Sequence, residues 1–227
     1  MKKFVAIIPA RSGSKGLPHK NIKVVKGKEL LNYSVDAAIK SSYISKVIVS
    51  SDSNDYLNKV TKHDKVALHR RSEELSMDTS LTEDVIISII KEFNLNDEDY
   101  FVLLQPTSPL RNEYHIDEAI NLLTEKNKQS LVSVAENTIN SAIVNTLDNN
   151  LSMENFINTY KVNRRQNMLK EFYINGAIYI SNVGEYKLTK NFYGKSSIAY
   201  IMDEKSSVDI DNKLDMDFFE FLINNEN

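Results

Sequence analysis

The sequence predicts an α/β fold, a doubly wound and mostly parallel sheet covered by helices on both faces to make three layers. Three observations lead there. Short apolar runs recur without alternation, which suits strands buried on both faces. Between them lie stretches with apolar residues near i, i+3, i+4 and i+7, the stripe of a helix with one buried side. The two kinds of segment alternate through about the first 135 residues, and alternation of this kind builds right-handed parallel crossovers.

The elements follow in chain order. Phe4 to Ile8 is the first strand and Leu31, Val35, Ala38 and Ile39 mark the helix after the first loop. Val47 to Val49 is the next strand, and a third precedes Arg70-Arg71. Ile86, Ile89, Ile90 and Phe93 form the stripe of a second helix, for which Ser80 with Glu83 offers a capping box. Phe101 to Leu104 is a strand, Ile116, Ala119, Ile120 and Leu123 a helix, and Leu131 to Val134 a further strand. The pattern then breaks: residues 136–172 are rich in Asn, weakly periodic and carry Asn163-Arg164-Arg165-Gln166, so they read as an insertion. Strand-like runs return at Gly176 to Ile180 and Ser197 to Met202, and a helix with Phe218, Phe219 and Leu222 closes the chain. No internal repeat or low-complexity linker is present.

With 227 residues, 41% of them hydrophobic, the chain can bury one substantial core, so residues 1–227 read as a single domain carrying that insertion. Lysine plus arginine total 28 against 31 aspartate plus glutamate, a net charge of -3 that gives no general attraction to nucleic acid or an anionic membrane. An anionic ligand must therefore meet a local basic cluster. The absence of cysteine excludes disulfides, thiolate metal sites and cysteine nucleophiles. Pro9 and Arg11 interrupt the apolar start before a signal peptide could form, and no run has membrane-spanning length, so a soluble cytoplasmic protein is expected. None of His19, His63, His69 and His115 has metal-ligand spacing, and they read as structural or solvent-facing.

In an open parallel sheet, ligands bind beyond the carboxyl ends of the strands, so the residues after each strand carry the chemistry. After the first strand, Pro9 to Asn21 brings glycines and serines together with Arg11, Lys15 and Lys20, a combination of backbone donors and positive charge that suits a polyphosphate. It fits neither G-x-x-x-x-G-K-[ST] nor G-x-G-x-x-G. Ser50-Ser51-Asp52 follows the second strand and Gln105 to Arg111 the fourth, and all three segments are expected to converge on one crevice. In Val208-Asp209-Ile210-Asp211 an extended backbone sets both carboxylates on one side and Ile210 on the other. Paired acids repel, a cation relieves them, and hard oxygen ligands beside a polyphosphate favour Mg²⁺. Arg70-Arg71 and Thr82 could meet a base or a phosphate.

Taken together, these segments resemble the acylneuraminate cytidylyltransferase family, the CMP-sialic acid synthetases. Residues 10–21 match its A-R-x-G-S-K-G-x-P-x-K-N form, Leu103 to Arg111 its L-L-Q-P-T-S-P-L-R, Asn175 to Ile180 its N-G-A-I-Y-I and Asp209 to Asp211 its D-I-D. The resemblance implies a Rossmann-like nucleotidyltransferase sheet and a CTP-dependent activation of a nine-carbon acidic sugar. It implies that Ala10, Arg11, Ser14, Lys15 and Lys20 serve the nucleotide's phosphates and Asn21 its ribose, with Arg71 and Thr82 by the cytosine. Gln105, Thr107, Arg165, Asn175 and Tyr179 would meet the sugar. Asp209 and Asp211 would hold Mg²⁺, or Mn²⁺ in its place, and Arg11, Lys20 and Asp211 would be catalytic. It further implies a homodimer in which residues 136–172 reach the partner's site. Asn137 to Asn145 lacks the lysine of sialate-using members, and Tyr173 stands where they often carry arginine. Sialic, legionaminic and pseudaminic acids therefore all stay open as substrates, as does GTP in place of CTP. Outside this reading lie a 3-deoxy-octulosonate-type nucleotidyltransferase, a glycosyltransferase using a finished nucleotide sugar, and a non-catalytic nucleotide sensor.

Overall fold

Side chains of the first strand, β1 (Phe4–Pro9), alternate between two apolar layers. Phe4, Ala6 and Ile8 join one core cluster, and Val5 and Ile7 the other. The computed structural model describes residues 2–13, 16–72, 74–76, 81–139, 141–154, 156–157 and 170–225. After β1, a 3₁₀ turn at Lys20–Ile22 leads into the short hairpin β2 (Val24–Val25) and β3 (Lys28–Glu29). Its turn puts Lys26 and Gly27 at positive φ, 49° and 77°, which glycine adopts without strain. Then come α1 (Leu30–Lys40), β4 (Ile44–Ser51), α2 (Asn54–Asn58), β5 (Val66–Arg70), α3 (Thr82–Glu92), β6 (Tyr100–Leu103), α4 (Glu113–Glu125) and β7 (Ser130–Glu136). The chain finishes with β8 (Phe172–Asn182), α5 (Val183–Thr189), β9 (Ser197–Met202) and α6 (Lys213–Asn224).

Seven strands make one sheet in the order β5-β4-β1-β6-β8-β7-β9. The pairs β1/β4, β1/β6, β4/β5 and β7/β9 are parallel, while β8 runs antiparallel to both β6 and β7. One face packs on α1 and α4 through Leu31, Val35, Ile116 and Ile120, the other on α3 and α5 through Val85, Ile89, Val183 and Tyr186. The three layers and the mostly parallel sheet are those expected. The run at Gly176 to Ile180 extends to the eleven residues of β8, whose reversed direction leaves no trace in the apolar pattern because a strand covered on both faces looks the same either way. Ser80, the expected cap, lies outside the described residues; α3 starts at Thr82 with Leu81 as its N-cap, which gives it no side-chain hydrogen bond. Between β7 and β8 the described residues form one 3₁₀ turn, Ser141–Ile143, and little else that is regular. Among the described residues no helix is long and apolar enough to cross a membrane.

A third apolar cluster positions the site. Leu17 from the loop after β1, Val25, Leu30, Ile210, and Met216, Phe219 and Ile223 of α6 bury one another. The register of α6 is set by a capping box. Asn212 accepts from the Leu214 and Asp215 amides at 2.8 and 3.1 Å, and Asp215 reaches back to the Asn212 amide at 3.0 Å. Asn212→Ala is expected to cost about 1 kcal/mol of stability, a fall in Tm of about 2–4 °C for a chain of this size, measurable by calorimetry. An unchanged Tm would show that the cap does not hold the helix.

Candidate active site

Residues after β1, β5 and β6, the start of α3 and the segment before α6 enclose a crevice of about 700 Å³. It is lined by Arg11, Lys20, Asn21, Arg71, Thr82, Gln105, Thr107, Asp209 and Asp211 among the expected residues, with Pro9, Gly16, Leu81, Val85 and Pro106 beside them. The segments after β1 and β6 converge as expected beyond the carboxyl ends of the strands, but Ser50, Ser51 and Asp52 at the end of β4 do not line the crevice. Ala10 is fully buried beneath, its amide donating to the Ser50 carbonyl at 2.8 Å. Ser14, Lys15 and Arg165 lie outside the described residues.

Lys20 is almost wholly buried, yet its amine reaches the crevice. It donates to the Ile210 carbonyl and, at 3.0 Å, to Asp211 Oδ1. A lysine held between a carbonyl and a carboxylate is a fixed cation rather than a roving one. The Asp209-Ile210-Asp211 segment is pinned on its other side, where the Ile210 amide donates to the Thr107 carbonyl at 2.8 Å. Ile210 is fully buried in the third cluster, so both carboxylates face the crevice, as the extended pattern requires. Burial raises the Asp209 carboxyl above its ordinary value, Asp211 adds to the rise, and a hydrogen bond from Thr107 and the Lys20 charge oppose it. The acids thus hold a repulsion that a cation relieves.

A divalent ion fits this donor set. Two carboxylates leave most of an octahedral shell to phosphate oxygens and water, the arrangement Mg²⁺ prefers. Among the described residues no group of three or more His, Cys, Asp or Glu could form an all-protein cage.

The loop after β1 is tied from both sides. Asp52 receives the Ser12 amide at 2.7 Å and the Ser12 hydroxyl at 2.6 Å. Burial alone would raise the Asp52 carboxyl, but these bonds and the Arg71 charge hold it below its ordinary value. Asn21 donates to the Arg11 carbonyl at 2.9 Å, while its Oδ1, buried and without a partner among the described residues, is an acceptor in the crevice wall. Burial pushes the Arg71 guanidinium down to about 10, Asp52 opposing and Arg11 adding to the fall, so it stays a cation at neutral pH.

Gln105 is set by its own motif. Arg111, fully buried, donates to Ser34 Oγ at 2.6 Å, and that hydroxyl donates to the Gln105 carbonyl at 3.1 Å. Gly176, at φ +77°, leaves room for the Gln105 side chain: a Cβ there would approach Oε1 to 2.8 Å. Asn175 does not line the crevice; it is buried, accepting from Ser133 at 2.6 Å and donating to Ser207 at 2.8 Å. Tyr179 lies outside the lining too, its ring tilted against Phe192 with centroids 5.2 Å apart. Burial pushes its phenol up to about 12, and the nearby charge of Asp209 contributes.

Sequence reasoning missed the apolar wall of Leu81 and Val85, and it read Gly16 only as a source of backbone donors. A Cβ on Gly16 would collide with the Asp211 carbonyl oxygen, so this glycine lets the cationic loop close against the acidic segment.

Comparison with known proteins places this site in a family context. The profile of the cytidylyltransferases matches residues 5–223. The chain is 41% identical over 217 residues to N-acylneuraminate cytidylyltransferase of Escherichia coli, covering 95% of this chain and 51% of that protein. Thus the chain spans about half the length of that relative. It is 30% identical over 226 residues to CMP-N,N'-diacetyllegionaminic acid synthase of Legionella pneumophila, covering 97% and 96% of the two chains. The solved structure of a CMP:2-keto-3-deoxy-manno-octonic acid synthetase complexed with CTP has a TM-score of 0.73 with full coverage of both chains, and at 14% identity this likeness speaks for the fold alone.

Proposed function

The chain belongs to the cytidylyltransferase family, and from that premise we propose that it joins a nine-carbon acidic sugar to CMP, consuming CTP and releasing pyrophosphate. The observation that carries this reading is that the cations Arg11 and Lys20 share one crevice with the paired acids Asp209 and Asp211. Phosphoryl transfer needs little covalent chemistry from a protein and much positioning and charge compensation. CTP lies along the crevice, its base toward Arg71 and Thr82 and its phosphates toward Arg11 and Lys20. Asn21 Oδ1 accepts from a ribose hydroxyl. Ser14 and Lys15 complete the phosphate cradle.

The anomeric hydroxyl of the sugar attacks the α-phosphorus in line and pyrophosphate leaves, without a covalent intermediate on the protein. Arg11 and Lys20 compensate the charge that grows on the α-phosphoryl oxygens and on the leaving group. Mg²⁺, or Mn²⁺, held by Asp209 and Asp211 would supply a Lewis acid for the same charge. Gln105 and Thr107 orient the sugar and Arg165 joins them, while Asn175 and Tyr179, which do not line the crevice, brace β8 behind it. The relatives are named for N-acylneuraminate, at 41% identity, and for a diacetyllegionaminic acid, at 30%, so acids of both groups are candidate substrates. A homodimer formed through residues 136–172 and a cytoplasmic location belong to the same reading. Exposed Ile139, Ile143, Val144, Leu147 and Met153 give that segment an apolar surface for a partner to cover.

Pyrophosphate release measured with four nucleoside triphosphates against a panel of nine-carbon acidic sugars, with and without Mg²⁺, tests the proposal. Release is expected only with CTP, one or a few of the acids, and the metal. Release without any sugar acid, or with consumption of a finished nucleotide sugar, would overturn it. A preference for GTP would correct the base alone.

A further inference from the structure

Arg71 is held from behind by two residues that the crevice does not expose. Its Nε donates to Ser50 Oγ at 2.9 Å and its Nη2 to the Ser50 carbonyl at 3.2 Å. Ser50 Oγ lies 2.9 Å from His69 Nδ1, and both residues are buried, 0% and 1% exposed. The Nε–H group can only donate, so the hydroxyl accepts from it, with its own proton and a second lone pair still to place. Glu92 Oε2, 3.4 Å from His69 Nε2, can only accept, which puts the ring proton on Nε2 and leaves Nδ1 to accept from Ser50. The chain Glu92, His69, Ser50, Arg71 then has one direction of donation throughout. With Nε and Nη2 committed, the guanidinium cannot swing, and its remaining Nη hydrogens are what it offers to the crevice.

The order of strands says which part of a nucleotide meets them. Arg71 follows β5 and Thr107 follows β6, and β4 and β1 lie between, three strand spacings or roughly 14 Å in all. The β6 end carries the paired acids, since the Ile210 amide meets the Thr107 carbonyl there, while Arg71 lies across the crevice from them. A phosphate chain suits the end with the acids, which leaves the Arg71 end for a flat ring with hydrogen-bonding edges.

Resting on the nucleotide reading above, we propose that Ser50 and His69 are positioning residues that aim Arg71 at the base of the bound nucleotide, so that base recognition depends on this relay and not on Arg71 alone. Removing the hydroxyl leaves Arg71 only its Nη2 bond to the Ser50 carbonyl, a single pivot about which the guanidinium can turn, and leaves His69 Nδ1 without its donor. The triphosphate end, anchored on Lys20 and Arg11, is untouched.

Titration calorimetry with CTP and with inorganic tripolyphosphate, which has the phosphates and no base, separates the two ends. Ser50→Ala is expected to weaken CTP about 10-fold, the effect of losing one hydrogen bond to a charged group, and to leave tripolyphosphate within about twofold of wild type. His69→Leu should weaken CTP about 3- to 10-fold by the same route. His69→Asn, whose side-chain oxygen can accept from Ser50, should restore CTP to within about twofold. Retained tripolyphosphate binding also reports that each variant is folded. CTP binding unchanged in Ser50→Ala, or equal weakening of both ligands, would overturn the relay while leaving the nucleotide reading intact. Wild-type protein that binds neither ligand would sink the nucleotide reading itself.

Discussion

Lys20→Ala and Asp211→Ala are each expected to lower kcat for pyrophosphate release about 10²- to 10³-fold, the usual effect of removing one preorganised charge from such a site. The two residues act as a unit. Lys20 is fixed by the Ile210 carbonyl and by Asp211 at 3.0 Å, so losing either member misplaces or unbalances the other. The double variant should therefore fall well short of the product of the single losses. Stability should separate them. The Asp211 side chain is 76% exposed, and its removal should leave Tm nearly unchanged, whereas Lys20 is 10% exposed and its removal strips a buried carbonyl of its donor. Circular dichroism on both variants, with single-turnover kinetics at saturating CTP, provides the check. Turnover within about threefold of wild type in either would remove that residue from the chemistry.

Much of this site could be read in the chain because strand-to-loop transitions in a parallel sheet announce where ligands go. Arg11, Lys20, Gln105 and Thr107 each follow an apolar run, and all four reach the crevice. The acids at 209 and 211 were legible from period-two geometry, since buried Ile210 forces its neighbours to the opposite side. What stayed hidden depends on contacts distant in sequence. His69 has no ligand spacing and reads as structural, yet its ring meets Ser50 across a parallel strand pair, a register that no local pattern encodes. Asn175 belongs to a quoted motif, but its polar atoms turn inward to Ser133 and Ser207, a partnership fixed by the pairing of β7, β8 and β9. The direction of β8 is illegible because an apolar run reads the same whichever way the strand points.

Gly16→Ala is the second change with a large expected effect, and it works through backbone proximity rather than charge. The new Cβ would lie well inside van der Waals contact with the carbonyl oxygen of Asp211, and neither side has a flexible group that could turn away. The cationic loop must therefore retreat from the acidic segment. A retreat of about 1 Å between groups that act together costs on the order of 10²-fold in kcat/KM, with about 1–3 kcal/mol of stability lost to overpacking. Gly13 in the same loop supplies the control, because a Cβ there meets nothing within 4 Å among the described residues. If these glycines served only to keep the loop flexible, Gly13→Ala and Gly16→Ala would impair turnover alike. If close approach is what Gly16 provides, Gly13→Ala stays within about twofold of wild type while Gly16→Ala loses turnover and requires more Mg²⁺ for half-maximal rate. Equal losses, measured as kcat/KM for CTP over a Mg²⁺ titration, would show that the loop's freedom matters and its contact with Asp211 does not.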